Sequence, residues 1–187
     1  MASVDKLTVR YGGVTVLNDF TATFPDGAVT AVSGRSGCGK TTLLAALLGL
    51  LRPASGTVTG FRRPSAAFQE DRLLPYLTAV KNITVTSCCT AQAAETALRQ
   101  VGFDDADSEK NAAALSGGMA RRVALVRAML AEGDAVMLDE PFKGLDEVTR
   151  AAVVRFVNEN RRGRTMVVVT HDPRDAEDLG ATHFIRM

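Results

Sequence analysis

Eight residues, Gly34-Arg35-Ser36-Gly37-Cys38-Gly39-Lys40-Thr41, leave a chain of this kind few folds to choose from. They follow the apolar stretch Ala28–Val32, which a Pro25-Asp26-Gly27 turn signal introduces. They precede a leucine-dense stretch, Thr41 to Leu51, that predicts a buried helix. In the order strand, glycine-rich loop, helix, backbone N–H groups turn inward around an anion, and the helix N-terminus adds partial positive charge. The spacing fits G-x-x-x-x-G-K-[ST], a loop that cradles the phosphates of a nucleotide. Lys40 is expected to reach the β- and γ-phosphates and Thr41 to place its hydroxyl on Mg²⁺. Gly34, Ser36, Gly37, Cys38, Gly39 and Thr42 are expected to line the phosphates, with Cys38 a small filler rather than a redox switch.

The rest of the chain supplies the sheet that such a loop needs. Leu7, Val9 and Tyr11 alternate with Thr8 and Arg10, and Phe20, Ala22 and Phe24 alternate with threonines, a period of two that predicts N-terminal antiparallel strands. The stretch from about 71 to 115 is richer in Ala, Gln and Glu, with a helical pattern through Ala91–Val101 and polar punctuation at Asp104–Lys110. It reads as a helical subdomain inserted into an α/β core of about 1–70 and 116–187. From Ser116 onward helices alternate with the apolar strands Ala135–Leu138 and Met166–Thr170, which argues for a parallel sheet covered on both faces. A length of 187 residues suits one domain rather than two.

Composition excludes some partners. Lys and Arg number 22 against 21 Asp and Glu, so no excess positive charge is available for a nucleic-acid backbone or an anionic membrane surface. The longest apolar run, Leu43–Leu51 broken by Gly49, falls short of the roughly 18 residues a membrane span needs. The first residues lack the basic start and apolar core of an export signal, which predicts a cytoplasmic protein. Three cysteines, two of them adjacent, are expected to stay reduced there.

A second chemical feature lies at Ala135-Val136-Met137-Leu138-Asp139-Glu140, an apolar strand ending in two carboxylates. Beside a phosphate loop, Asp139 is the expected Mg²⁺ residue, acting through water because Mg²⁺ keeps much of its hydration. Glu140 is positioned by its place in the sequence to address the attacking water as general base.

Leu115-Ser116-Gly117-Gly118-Met119, followed by a helix over Ala120–Ala131, resembles the signature motif of ATP-binding cassette proteins. Ser116 can cap that helix, and Gly117 and Gly118 leave N–H groups open to an anion. Other motifs follow in that family's order. Gln69 resembles the glutamine that senses Mg²⁺ and the γ-phosphate, Gly144-Leu145-Asp146 resembles the D-loop, and His171 matches the switch histidine at the γ-phosphate. Tyr11 sits where the family stacks an aromatic ring on adenine.

The resemblance implies an α/β P-loop NTPase core with a mixed or parallel sheet, N-terminal antiparallel strands and an inserted helical subdomain. It implies an ATPase using ATP and Mg²⁺, with Glu140, His171 and Gln69 catalytic. Two copies, or this chain and a homologous subunit, would pack head to tail, each ATP lying between one phosphate loop and the other's Ser116–Gly118 corner. Gln69-Glu70-Asp71-Arg72-Leu73-Leu74-Pro75-Tyr76-Leu77-Thr78 resembles the corresponding segment of bacterial importer ATPases for nitrate, sulfonate, taurine and related solutes. That implies a transmembrane permease partner and a place on the inner face of the membrane. Leu73, Leu74 and Tyr76 serve there either as permease contacts or as subdomain core. A soluble cassette of the DNA-repair or translation type is the alternative reading. Four departures from the family pattern stand out. Only 69 − 40 = 29 residues separate Lys40 from Gln69, which predicts a trimmed antiparallel sheet. Met119 and Lys143 occupy positions where glutamine and a small residue are usual. The chain stops soon after His183, without the family's final strand and helix.

Overall fold

The computed structural model describes residues 1–187. Along the chain come β1 (Ala2–Tyr11), β2 (Val14–Phe24), β3 (Val29–Ser33), α1 (Lys40–Leu47), β4 (Ser55–Thr59) and β5 (Pro64–Ala67). Then follow α2 (Ala79–Thr84), α3 (Ala91–Gln100), α4 (Asp105–Ser108), a 3₁₀ turn at Ala112–Ala114 and α5 (Gly117–Leu130). The chain closes through β6 (Ala135–Asp139), α6 (Glu147–Asn160), β7 (Thr165–Val169), α7 (Pro173–Asp178) and β8 (His183–Arg186). Two compact units result, one of residues 1–64, 133–139 and 163–187, the other of 65–132 and 140–162.

The first unit holds both kinds of sheet. Strands β6, β7, β3 and β8 lie side by side and parallel, with Asp139 opposite Val169, Val29 opposite Met166 and Thr30 opposite His183. Every residue of β6 and β7 is buried, and so are the first four of β3. Uninterrupted runs such as Met166-Val167-Val168-Val169 therefore do not alternate, because both faces of a parallel strand are covered. Each such valine or leucine removed from water contributes about 1.5–3 kcal/mol.

The second sheet of this unit is antiparallel, in the order β2-β1-β4. The turn Tyr11-Gly12-Gly13-Val14 closes its first hairpin with φ of 52° and 88° at the two glycines, the positive values that a two-residue turn of this hand requires. Register shifts interrupt the β1–β2 pairing on either side of Leu7. Near them Lys6 and Asp19 have positive φ, and their amides donate to Thr21 Oγ1 and Thr8 Oγ1 instead of to the ladder. The antiparallel sheet has a third strand: β4, short and largely exposed, pairs with β1 from Ser3–Thr59 to Thr8–Ser55.

Two sequence expectations change in this unit. The leucine-rich helix ends at Leu47 rather than continuing through Leu51. Gly49 takes φ 68°, its amide donates to Ala46 O at 3.0 Å and that of Leu50 to Ala45 O at 2.9 Å, a paired closure that a left-handed glycine permits. The closing residues also form a strand, which the sequence reading does not name. His183–Arg186 pairs with β3 from Thr30–His183 to Ser33–Arg186, a four-residue edge strand, largely exposed, that gave no long apolar run to read.

The second unit is helical. Its helices begin on side chains that accept amide bonds: Thr78 from Lys81, Thr90 from Ala93, Asp104 from Asp107, Ser116 from Met119 and Asp146 from Thr149. Ile83, Leu98, Val101, Val123, Met129, Val153 and Phe156 form its fully buried core. Buried polar groups are also matched. Asn82 accepts the Leu74 amide at 2.7 Å and donates to the carbonyls of Leu74, Leu77 and Thr78, which ties the loop before α2 to that helix. Arg122 donates to the carbonyls of Val101, Gly102 and Gly118 and lies 4.8 Å from the Phe103 ring centroid. It thereby supplies donors to the chain just beyond α3.

Candidate nucleotide-binding site

In the first unit, the loop between β3 and α1 is shaped by glycines. Gly37 has φ 79°, and a Cβ there would meet nothing within 4 Å, so its side of the loop is open. Gly39 starts α1 with φ 100°, and a Cβ would come 2.9 Å from Leu17 Cδ2, so β2 closes that side. At Gly34 a Cβ would approach Cys38 Sγ at 2.7 Å. Gly39 thus serves both the turn and the packing, while Gly37 leaves space for an incoming group.

Lys40 reaches back over the loop rather than outward. Its Nζ donates to Gly34 O and Arg35 O at 2.9 Å each and lies 4.0 Å from Cys38 Sγ. A half-buried ammonium held by two loop carbonyls is a point charge that an anion entering the loop can draw to itself. Thr41 Oγ1 donates to Asp139 Oδ2 at 2.9 Å, joining the first residues of α1 to the end of β6 across 98 positions of sequence. Asp139 is 1% exposed and Thr41 is exposed, so the pair lies at the edge of the sheet with one side toward solvent. One hydroxyl and one carboxylate form a sparse, hard-oxygen set. Such a set suits Mg²⁺, which keeps several waters and takes further oxygens from phosphate.

His171 follows β7 and shares a cavity of about 520 Å³ with Ser33, Gly34, Arg35, Cys38, Arg186 and Met187. The backbone around it is braced. Thr170 Oγ1 donates to the buried Asp175 at 2.6 Å and accepts the Asp172 amide at 3.0 Å, while Asp172 caps α7. Tyr11, 52% exposed, stands at the tip of the β1–β2 hairpin, and the same hairpin packs Val16 and Leu17 toward Gly39. Thr42 is half-buried in the first turn of α1, and Ser36 is exposed in the loop.

The second unit carries the remaining expected residues. Glu140 has φ 50°, a left-handed conformation rare for a residue with a side chain, immediately after the buried strand end at Asp139. Gln69 is exposed, and its carbonyl is held by Arg121 of α5. Ser116 Oγ accepts the Met119 amide at 3.3 Å and so caps α5. A Cβ at Gly117 would meet nothing within 4 Å, and one at Gly118 only Leu145 Cδ2 at 3.8 Å. Neither glycine is required by the packing of its own chain. Asp146 uses both carboxylate oxygens on Thr149, accepting its amide at 3.0 Å and its hydroxyl at 2.7 Å, and those bonds hold its carboxyl below the usual carboxylate range. Leu74 and Tyr76 are 48% and 89% exposed, which makes them surface rather than subdomain core.

Sequence reasoning missed Arg121 and Arg127. Both sit inside the otherwise apolar stretch Val123–Leu130 or at its edge, and a guanidinium there needs buried acceptors, which is the one signal that marks them. No helix of the protein is long and apolar enough to cross a membrane.

A family model described as ABC transporter matches residues 17–143. The chain is 41% identical over 177 residues to the aliphatic sulfonates import ATP-binding protein SsuB 1 of Streptomyces avermitilis, covering 92% of this chain and 68% of that one. It is 40% identical over 184 residues to the aliphatic sulfonates import ATP-binding protein SsuB of Corynebacterium glutamicum, covering 94% and 75%. Among solved structures, an ATP-binding subunit of an ABC transporter superposes with TM-score 0.88 at 25% identity, over all of this chain and 85% of that one. A dimeric ATP-binding cassette in a post-hydrolysis state, bound to ADP and Pi, shares the fold with TM-score 0.85 at 24% identity, over 95% and 91%.

Proposed function

Because the chain belongs to the ABC transporter family and is one of its ATP-binding, ATP-hydrolysing subunits, we propose that it powers import of a small solute of the aliphatic-sulfonate class through a separate membrane permease. The observation that carries the chemistry is the joint between phosphate loop and strand end, where Lys40 lies over the glycine cradle and Thr41 bonds Asp139.

In this reading the amides from Gly34 to Thr42 bind the phosphates of ATP and Lys40 exchanges its two carbonyls for β- and γ-phosphate oxygens. Thr41 and Asp139, with Gln69, are the residues that would hold Mg²⁺, which would neutralise charge on the terminal phosphates. Tyr11 stacks on adenine. Glu140 accepts a proton from the attacking water, and His171, which shares a cavity with Gly34, Arg35 and Cys38, orients the γ-phosphate. The whole chain acts as one ATPase domain, with the helical segment of about 71–115 as the part that meets the permease through Leu74 and Tyr76. That partner places the protein at the inner face of the membrane.

The partner in ATP binding is a second copy or a homologous subunit packed head to tail. The open corner at Gly117 and Gly118 supports this, because glycines that leave free space in their own chain admit a ligand held by another. Ser116 and Asp146 then approach the nucleotide of the opposite subunit. Closure around ATP and release after hydrolysis turn a phosphate bond into a movement. The test is Glu140→Gln. It should bind ATP as the unaltered protein does, lose turnover by about 10²–10⁴-fold, and elute as a dimer only with ATP. A Glu140→Gln protein hydrolysing at the normal rate removes Glu140 from the base role, and one that stays monomeric with ATP removes the dimer.

A further inference from the structure

Helix α5 begins at the Ser116 cap and holds the Gln69 segment through two arginines. Arg121, 8% exposed, donates from Nη1 to Phe68 O at 2.5 Å and from Nη2 to Gln69 O. Its Nη1 also lies 3.2 Å from Asp71 Oδ1, an oxygen sealed from water that has this charge beside it but no aligned donor. Arg127 donates to Asp71 O at 2.8 Å and Arg72 O at 2.9 Å. Four of the five carbonyls from Phe68 to Arg72 are thus bound by guanidinium groups rooted on one helix. The segment is closed from the other end as well. Arg72, with φ 47°, folds its own guanidinium to 4.0 Å from the Phe68 ring centroid.

A single tether would let the segment pivot. Two planar forks, spaced six residues or about 9 Å along α5, fix its orientation as well as its position. We propose that Arg121 and Arg127 are positioning residues that join Gln69 to α5, so that the Mg²⁺-facing glutamine and the Ser116 corner move as one body. This rests on the reading of Gln69 as a Mg²⁺ contact. The planar fork is specific to this joint: a lysine at 121 would still put a cation beside Asp71, but it could not serve Phe68 O, Gln69 O and Asp71 from one planar group.

The experiment uses the full chain with Arg121→Lys, Arg121→Met and Gln69→Ala, and reads three things. These are the Mg²⁺ concentration at half-maximal ATP binding at equilibrium, the kcat and KM for ATP, and the rate of tryptic cleavage after Arg72. Arg121→Lys should fold and keep the affinity for ATP without Mg²⁺, with a melting temperature lowered only as far as the loss of one buried carbonyl's donor requires. It should raise the Mg²⁺ midpoint and lower kcat by roughly tenfold, with KM for ATP little changed and cleavage after Arg72 faster. Arg121→Met should do the same or more; if it fails to fold, Arg121→Lys decides. Arg121 variants with a normal Mg²⁺ midpoint, beside a shifted Gln69→Ala, overturn the clamp alone. A Gln69→Ala protein with a normal midpoint overturns the Mg²⁺ reading of Gln69 and takes the clamp's purpose with it.

Discussion

Lys40 offers the sharpest separation between holding the fold and holding the ligand. In the free chain its ammonium is satisfied by two carbonyls, Gly34 O and Arg35 O, both in a loop that water reaches. Removing it leaves acceptors that water can serve, so Lys40→Met, which keeps most of the stem, should change unfolding free energy by less than about 1 kcal/mol. Nucleotide binding is another matter. Each charge-assisted bond to phosphate contributes about 1.5–3 kcal/mol, and the protein gives up two neutral-acceptor bonds to form two charged ones. The net loss in Lys40→Met is then about 2–4 kcal/mol, or roughly 30- to 1,000-fold in Kd. Fluorescent-nucleotide titration measures the affinity, and urea denaturation without nucleotide measures the fold. A Kd within about threefold of the unaltered protein, with the fold intact, would refute the assignment of this loop to phosphate. A large loss of stability would instead refute the argument that its carbonyl bonds are replaceable by water.

Gly117→Val should leave the melting temperature of the isolated chain unchanged or raised, since a Cβ there meets nothing and valine is the better helix former. ATPase activity and ATP-dependent dimerisation should fall together, and a variant with normal activity would show that no partner's nucleotide enters that corner. Asp71 gives a pH prediction. Burial raises its carboxyl above the usual value of 3.8, against the lowering pull of Arg121 and Arg127, so just above that value the folded chain keeps a proton the unfolded chain has lost. Stability from this group therefore falls as pH rises through that window and stays lowered above it. Urea midpoints of Asp71→Asn and the unaltered chain, measured from acid to neutral pH, should diverge in that direction, and parallel curves would refute it.

The turns of the loop between β3 and α1 were legible because their glycines answer a local demand, positive φ at Gly37 and Gly39. The buried strands β3, β6 and β7 were legible because covering both faces leaves a continuous apolar run. Strands β4 and β8 were not, because a short, exposed edge strand owes its form to the neighbour it pairs with. The end of α1 was misread for a related reason. Leucines continue past it, and only the closure at Gly49 shows that the helix has stopped.

Taken alone, the order of residues determined the family motifs and the kind of ligand, since phosphate recognition is written in short contiguous stretches whose chemistry survives without knowledge of the rest. Only the tertiary structure decided which distant groups support them. The bond from Thr41 to Asp139 crosses 98 positions, and the reach of Arg121 to Gln69 crosses 52. A guanidinium's acceptors are backbone carbonyls, which every residue carries alike, so no pattern of side chains announces where it will find them.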